Sequence, residues 1–350
     1  MAQEKKLFDV PDERKIHAIP IPSLGGLGIF GGFVIACLLT ISLNQAAEFQ
    51  YFIAAALVIF FLGIKDDIMV ISPLKKFIGQ VLAAFLIIYK GGIQIKSMHG
   101  FLGVYDLPEM FSLILTYFTV IVIINSFNLI DGVDGLAGSL GFMATLILGF
   151  YFVSIGVVSY AALSFSLAGS LAAFLIFNFQ PAKIFMGDTG SLLIGLISAI
   201  LVIKFIDVST SNLNFPIQAS PAIGFAIFMI PLLDTLRVFG IRIIHRRSPF
   251  SPDRNHVHHL LLDKNFTHKQ ITLILVGINL LFIALAYFGR SLGSTWLIIS
   301  IFALFFAGIG LLYYTRPKQR LFVAKTSAND TKLTGSSKIL LTQEAILEEK

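Results

Sequence analysis

The stretch FSLILTYFTVIVIINSFNLIDGVDGLA, residues 111–137, is apolar as far as Ile124 and then turns abruptly to Asn125, Asn128, Asp131 and Asp134 with glycines between the acids. A run of this length without a charge has the dimensions of an α-helix crossing a hydrocarbon layer. An ionisable residue at membrane depth is expensive, so two carboxylates at the end of such a helix are placed for a reason. The stretch therefore sets the fold class: an all-α, polytopic bundle of transmembrane helices, with polar chemistry at helix ends.

The rest of the chain repeats the pattern. It has 350 residues, 56% hydrophobic and 13% charged, with 34 Phe and a mean hydropathy of +0.85, well outside soluble usage. About ten apolar stretches are legible, near 24–43, 50–64, 74–89, 110–127, 136–154, 157–177, 190–206, 219–236, 270–288 and 294–314. This predicts a cytosolic N-terminal segment over 1–23, a membrane domain over 24–314 and a polar cytosolic tail over 315–350. With the N-terminus inside, all but Lys90, Lys96, Lys204 and Arg290 of the 26 basic residues fall on the cytosolic side, as the positive-inside rule requires. The net charge of +6 thus reports membrane orientation and attraction to anionic lipid. No basic stripe is interleaved with exposed aromatics, which argues against a nucleic-acid partner. Cys37 stands alone in an apolar segment, excluding a disulfide framework or a thiolate metal site.

Four polar clusters stand out: GIKDD (63–67), NSFNLIDGVDG (125–135), FMGDTGS (185–191) and SPDRNHVHH (251–259). In the charge-derived topology all four face the cytosol, whereas the outside loops near 44–50, 154–159 and 210–215 carry nothing comparable. Asp66 and Asp67 close one span and precede SPLKKF; they read either as a solvated terminus beside lysines or as carboxylates meeting a metal or proton, with Lys75 and Lys76 offering charge for phosphate. Continued helical register would put Asn125, Asn128, Asp131 and Asp134 on one side, kept low by Gly132, Gly135 and Gly138. The competing reading is ordinary Asx–Gly turn chemistry. The spacing is not that of an EF-hand.

Asp188 and Thr189 stand between glycines where a span begins. Either caps that helix, or the open helix N-terminus binds an anion that a carboxylate-held cation joins. In the last cluster, HxHH without HExxH or a clear fourth ligand is a poor zinc site. Arg254, His256, His258 and His259 suit a diphosphate or sugar instead. No Walker sequence or GxGxxG is present.

Together these residues resemble the polyprenyl-phosphate N-acetylhexosamine-1-phosphate transferases, a membrane family. The likeness runs from about residue 7 to 314 through PDERKIHAIPIPSLGG (11–26), Asp66-Asp67 with SPLKKFIGQ, NSFNLIDGVDGLAG, NFQPAKIFMGDTGSL and SPDRNHVHHLLL. PDRNHVHH resembles the GlcNAc-1-phosphate branch; the phospho-MurNAc-pentapeptide translocase branch has three adjacent histidines. The resemblance implies transfer of a sugar 1-phosphate from a UDP-sugar to undecaprenyl phosphate at the cytosolic face of the cell membrane, releasing UMP and initiating cell-envelope polysaccharide synthesis. It implies Mg²⁺, with Mn²⁺ as a substitute, held by Asp188 and Asn128. It further implies acceptor phosphate on Lys76, catalytic roles among Asp66, Asp67, Asp131 and Asp134, and a nucleotide pocket of Asn178 and Phe185 with Asp131 or Asp134. Membrane lipid is the implied surroundings and a homodimer a candidate assembly. One departure is at the front: the resemblance implies a further helix before the PDERK loop, whereas only MAQEKKLFDV precedes it here, so either the start is set late or a helix has been lost. A secondary transporter is the competing class, but it predicts acids at mid-membrane and two-half symmetry.

Overall fold

The computed structural model describes residues 8–9, 21–42, 46–210, 215–246 and 256–315. The expected N-terminal segment and polar tail lie almost entirely outside these residues, as does Arg254. The helices are α1 (Gly25–Thr40), α2 (Phe49–Ile68), α3 (Pro73–Phe85), α4 (Glu109–Ile130), α5 (Leu136–Ser154), α6 (Val158–Asn178), α7 (Gly187–Ser209), α8 (Ser220–Ile227), α9 (Met229–Ile244), α10 (Val257–Leu262), α11 (His268–Phe288) and α12 (Gly293–Tyr314). A π turn, Leu86–Lys90, continues α3.

All ten apolar stretches are helical, but ten full spans is an overcount. Six helices are long and apolar enough to cross a membrane, or seven if α8 and α9 count as one bent span. The others fall short for identifiable reasons: α1 has 16 residues and α3 has 13, and α2 ends in Lys65, Asp66 and Asp67. The molecule remains a multi-pass helical membrane protein.

The expected span at 219–236 is broken. Between α8 and α9 the axis turns by 79°, and at membrane depth the backbone groups freed by such a break need partners. Asn279 of α11 supplies them: its Nδ2 donates to the Ala226 and Ile227 carbonyls (3.3 and 3.0 Å), and its Oδ1 accepts from the Ile230 N–H at 3.1 Å.

Helix α7 is the axis of the bundle. It is 78% buried and packs against α1, α2, α4 and α5. Glycines make the close crossings: a Cβ on Gly63 would lie 2.4 Å from the Thr189 Cα, on Gly26 2.4 Å from the Gly190 N, and on Gly195 2.5 Å from the Ile124 Cα. Such contacts replace the hydrophobic drive, which is absent between helices in lipid. They bring the ends of α2 and α4 against the start of α7, so three of the four sequence clusters meet. A two-stranded hairpin, Ser97–Phe101 with Val104–Asp106, follows the π turn and precedes α4.

Candidate active site

The acidic pair of α2 is divided between two tasks. Asp66 turns to Lys76 at the start of α3, its Oδ2 lying 3.1 Å from Nζ, while its Oδ1 accepts the Ile71 N–H at 2.7 Å and closes the α2–α3 turn. Asp67 turns to α7. It accepts the backbone N–H groups of Asp188 (2.7 Å) and Thr189 (3.1 Å) and the Thr189 hydroxyl (2.6 Å). The start of α7 is thus capped by a carboxylate from another helix, not by its own Asp188 or Thr189. Gly187 permits this, with φ of +67° and a position where a Cβ would sit 2.7 Å from an Asp67 oxygen.

Freed from capping, the Asp188 side chain joins Lys76 and Asn128. The Lys76 ammonium contacts Asp188 Oδ2 and the Asn128 Oδ1, the latter at 3.2 Å, and Asn128 Nδ2 donates to Asp188 Oδ1 at 2.8 Å and to the Ser191 hydroxyl at 3.0 Å. Three side-chain oxygens, from Asp66, Asn128 and Asp188, therefore converge on one cation. Hard oxygen donors in this arrangement suit a hard metal ion as well as an ammonium. Among the described residues no three His, Cys, Asp or Glu side chains form a metal cage by themselves, so a metal here would need ligands from a substrate or water.

On the other side of Asn128 and Asp188 lies a cavity of about 510 Å³, lined also by Asp131, Asp134, Asn178, Gln180, Phe185, His259 and His268. Helix α4 ends at Ile130, which corrects the continued helical register: residues 131–135 form a loop, with Gly135 at φ of +76°. The loop separates the two acids. Asp134 is tied down, with Oδ1 3.1 Å from His268 Nδ1 and Oδ2 accepting the Ala182 N–H at 3.2 Å. Asp131 bonds to no other described side chain, and burial, followed by the carboxylates of Asp188, Asp67 and Asp134, pushes its pKa up to about 7.

Phe185 and Asn178 line the cavity, but Asn178 Oδ1 accepts the Gly135 N–H and its Nδ2 donates to the Ile184 carbonyl, both at 2.8 Å. Its amide fixes the two loops that shape the cavity.

The three histidine rings are in contact, His256 with His258 at 5.5 Å and His258 with His259 at 4.4 Å between centroids, but each has its own surroundings. His256 Nδ1 lies 2.8 Å from Asp234 Oδ2, inside a buried set that includes Arg237, 2.8 Å from Asp234 Oδ1. His258 lies beneath Gly132, where a Cβ would meet its Nε2 at 2.5 Å; burial above all, then His259, holds its pKa down to about 3, so it is neutral. His259 alone of the three lines the cavity. Asp234, Gln180 and His268 were not singled out in the sequence. The only signal for His268 is its place beside the capping-box residue Thr267 at the start of α11.

A profile described as glycosyl transferase family 4 matches residues 49–206, the segment from α2 through most of α7 that carries Asp66, Asp67, Lys76, Asn128 and Asp188. Across 307 residues the chain is 30% identical to the undecaprenyl-phosphate alpha-N-acetylglucosaminyl 1-phosphate transferase of Yersinia pestis, covering 86% of this chain and 82% of that one. The chain belongs to glycosyl transferase family 4. It is 34% identical over 288 residues to the decaprenyl-phosphate N-acetylglucosaminephosphotransferase of Mycobacterium tuberculosis, with 76% and 71% covered. To a probable undecaprenyl-phosphate N-acetylglucosaminyl 1-phosphate transferase of Bacillus subtilis it is 33% identical over 302 residues, with 85% and 80% covered. As a family 4 member the chain is a glycosyl-1-phosphate transferase, not a transporter.

Proposed function

We propose that the chain transfers GlcNAc-1-phosphate from UDP-GlcNAc to undecaprenyl phosphate at the cytosolic face of a bacterial inner membrane, releasing UMP and initiating an envelope polysaccharide. The observation that carries this reading is that Asn128 and Asp188 line the cavity and also touch the Lys76 ammonium, which is not among the residues lining it. On one side is the cavity with Asp131, Phe185 and His259; on the other is the Lys76 ammonium on α3. Leu74, Phe77 and Ile78, around Lys76 on the same helix, are exposed, as a helix touching lipid requires. The cavity takes a soluble donor and the Lys76 side a lipid phosphate, and the two phosphates meet across Asn128 and Asp188.

In the transfer an oxygen of the acceptor phosphate attacks the sugar-linked phosphorus of the donor, and the bond from that phosphorus to the bridging oxygen breaks, leaving with UMP. Lys76 holds the acceptor phosphate by charge. Since a phosphate monoester has a second pKa of about 6, the acceptor needs no strict base, and Asp66 serves by orienting Lys76. Asp67 sets the backbone at the start of α7 and so aims Asp188. Asp188 and Asn128 would hold Mg²⁺ together with the donor diphosphate, and the positive charge so supplied offsets negative charge on the transferring and leaving groups. Asp131 faces the donor, with Asp134 and Asn178 fixing the loops around it.

The test is release of UMP from UDP-GlcNAc by purified protein in the presence of undecaprenyl phosphate and Mg²⁺. Omitting either the lipid or the cation should abolish it. UDP-MurNAc-pentapeptide should not replace UDP-GlcNAc as donor; if it did so at an equal rate, the donor assignment would pass to the translocase branch.

A further inference from the structure

Lys76 can bridge Asp66, Asn128 and Asp188 only if α3 presents one particular face to α4. What selects that face is not obvious from apolarity. Leu74, Phe77, Ile78, Leu82 and Phe85 of α3 all point outward, and its buried positions are Gln80, Ala83 and Ala84. In lipid the outward residues lose nothing by exposure, and alanines give little preference for one rotation of a helix over another.

The polar exception is Gln80, 1% exposed and one turn beyond Lys76. It meets Asn125, which lies one turn before Asn128 on α4. The two amides bond reciprocally: Asn125 Nδ2 donates to Gln80 Oε1 at 2.9 Å, and Gln80 Nε2 donates to Asn125 Oδ1 at 3.3 Å. Asn125 Nδ2 also donates to the Ile121 carbonyl of its own helix at 2.8 Å. The spacing of four residues on α3 and three on α4 stacks this amide pair directly on the Lys76–Asn128 contact. An amide left without a partner in hydrocarbon is heavily penalised, so pairing strongly favours one rotation of α3.

We propose that Gln80 and Asn125 are positioning residues for the transfer reaction: their amide pair fixes the rotation of α3 against α4 and thereby holds the Lys76 ammonium at Asn128 and Asp188. The consequence for turnover rests on the function proposed above; the consequence for Lys76 does not. Lys75 is the internal reference, being exposed next to a half-buried Lys76.

The experiment compares wild type, Q80N, which keeps an amide but shortens its reach by one methylene, and the swapped pair Q80N/N125Q. Folded protein in lipid nanodiscs is treated briefly with an amine-acylating reagent, and the Lys76 to Lys75 labelling ratio is read by mass spectrometry. Turnover per donor-binding site and the acceptor KM are measured in parallel. Q80N should raise the labelling ratio severalfold, lower kcat per site by about tenfold, equivalent to about 1.4 kcal/mol, and raise the acceptor KM, with donor affinity within about twofold. The swapped pair should return the ratio and kcat toward wild type. A Q80N protein with wild-type labelling and wild-type kcat per site would overturn the proposal, since a purely structural loss lowers the amount of folded protein and not the rate of each site. Q80L, which removes the amide altogether, should move both readouts further than Q80N does. If the wild type itself fails to release UMP, the proposed reaction falls, while the labelling ratio still decides the role of Gln80.

Discussion

The Asp67 carboxylate on α2 accepts the backbone N–H of Asp188 on α7 at 2.7 Å, so one acid of the site is aimed by another acid that stands on a different helix. This cap also holds the Thr189 N–H and hydroxyl. A helix cap contributes about 0.5–2 kcal/mol, with a further contribution from charge at a helix N-terminus. Asp67→Asn keeps an acceptor and should lower stability by about 1 kcal/mol, Asp67→Ala by about 2 kcal/mol, in thermal unfolding in detergent. Both should reduce turnover beyond the loss of folded protein, because Asp188 moves with the helix start. Wild-type melting for Asp67→Ala would mean that the cap is not a stabilising contact.

The same junction depends on Gly63. Its α-carbon approaches Thr189 so closely that an added methyl has nowhere to go, lying 2.4 Å from Cα and 2.6 Å from N. Backbone cannot yield as a side-chain tip can, so Gly63→Ala should cost about 1–3 kcal/mol or more and lower the yield of folded protein. Gly28, also helical and with nothing within 4 Å, is the control: Gly28→Ala should leave the melting temperature unchanged or raise it. Equal behaviour of the two variants would show that the α2–α7 crossing is looser than its geometry.

Much of this site is legible in the sequence, and the unread part has a physical pattern. The membrane class and the one-ended placement of acids follow from apolar length and from the expense of charge at helix ends; the pairing of Asn128 with Asp188 came from the family resemblance, and the contact of Lys76 with both could be read only from the structure. Sequence spacing could not divide Asp66 from Asp67, because adjacent residues at a helix terminus point in different directions and only the crossing with α7 decides which acid meets which partner. It misplaced Asp134 because a three-residue spacing continues whether or not the helix does, and α4 stops at Ile130. His256, His258 and His259 keep their rings in contact, but spacing could not tell that their partners differ, Asp234 for His256 and Gly132 for His258. The count of spans failed because apolarity does not distinguish a full crossing from a 13-residue helix or from one broken at Phe228.

Asp131 provides a pH signature. With its folded pKa pushed up to about 7 and an unfolded value of about 3.9, the folded state holds the extra proton between these values. The stability without divalent cation or donor should therefore decline as pH rises from about 4 to 7 and level off above 7, where the carboxylate is ionised against its environment. Asp131→Asn removes that penalty. At pH 8 in chelator the variant should melt a few degrees above wild type, and the gap should shrink as pH falls below 7 and close near pH 4, where Asp131 is protonated in the folded and unfolded states alike. An increment of the same size at both pH values would indicate an effect unrelated to ionisation. Donor binding should weaken in the same variant, because the carboxylate lines the cavity.

The strongest test of the oxygen basin sets Lys76 against divalent cation. The ammonium touches Asp66, Asn128 and Asp188, and an ammonium and a metal ion cannot both occupy the point where those oxygens converge. If the cation binds these oxygens as proposed, Lys76 would compete with it in the absence of substrates and would be drawn toward the acceptor phosphate during transfer. Lys76→Met removes the competitor while preserving the length and apolar stem of the side chain. It should bind Mn²⁺, used as a paramagnetic reporter for Mg²⁺, about tenfold or more tightly in substrate-free protein, since one charge fewer stands against it, even as turnover falls by orders of magnitude and the acceptor KM rises. Asp188→Asn should move the other way, weakening Mn²⁺ binding and turnover together, because it takes a charged ligand from the basin. Electron paramagnetic resonance titration of the two variants reads the cation directly. If Lys76→Met bound Mn²⁺ no better than wild type, the ammonium would not be holding the metal's place, and the cation site would have to lie on the cavity side of Asp188, nearer Asp131.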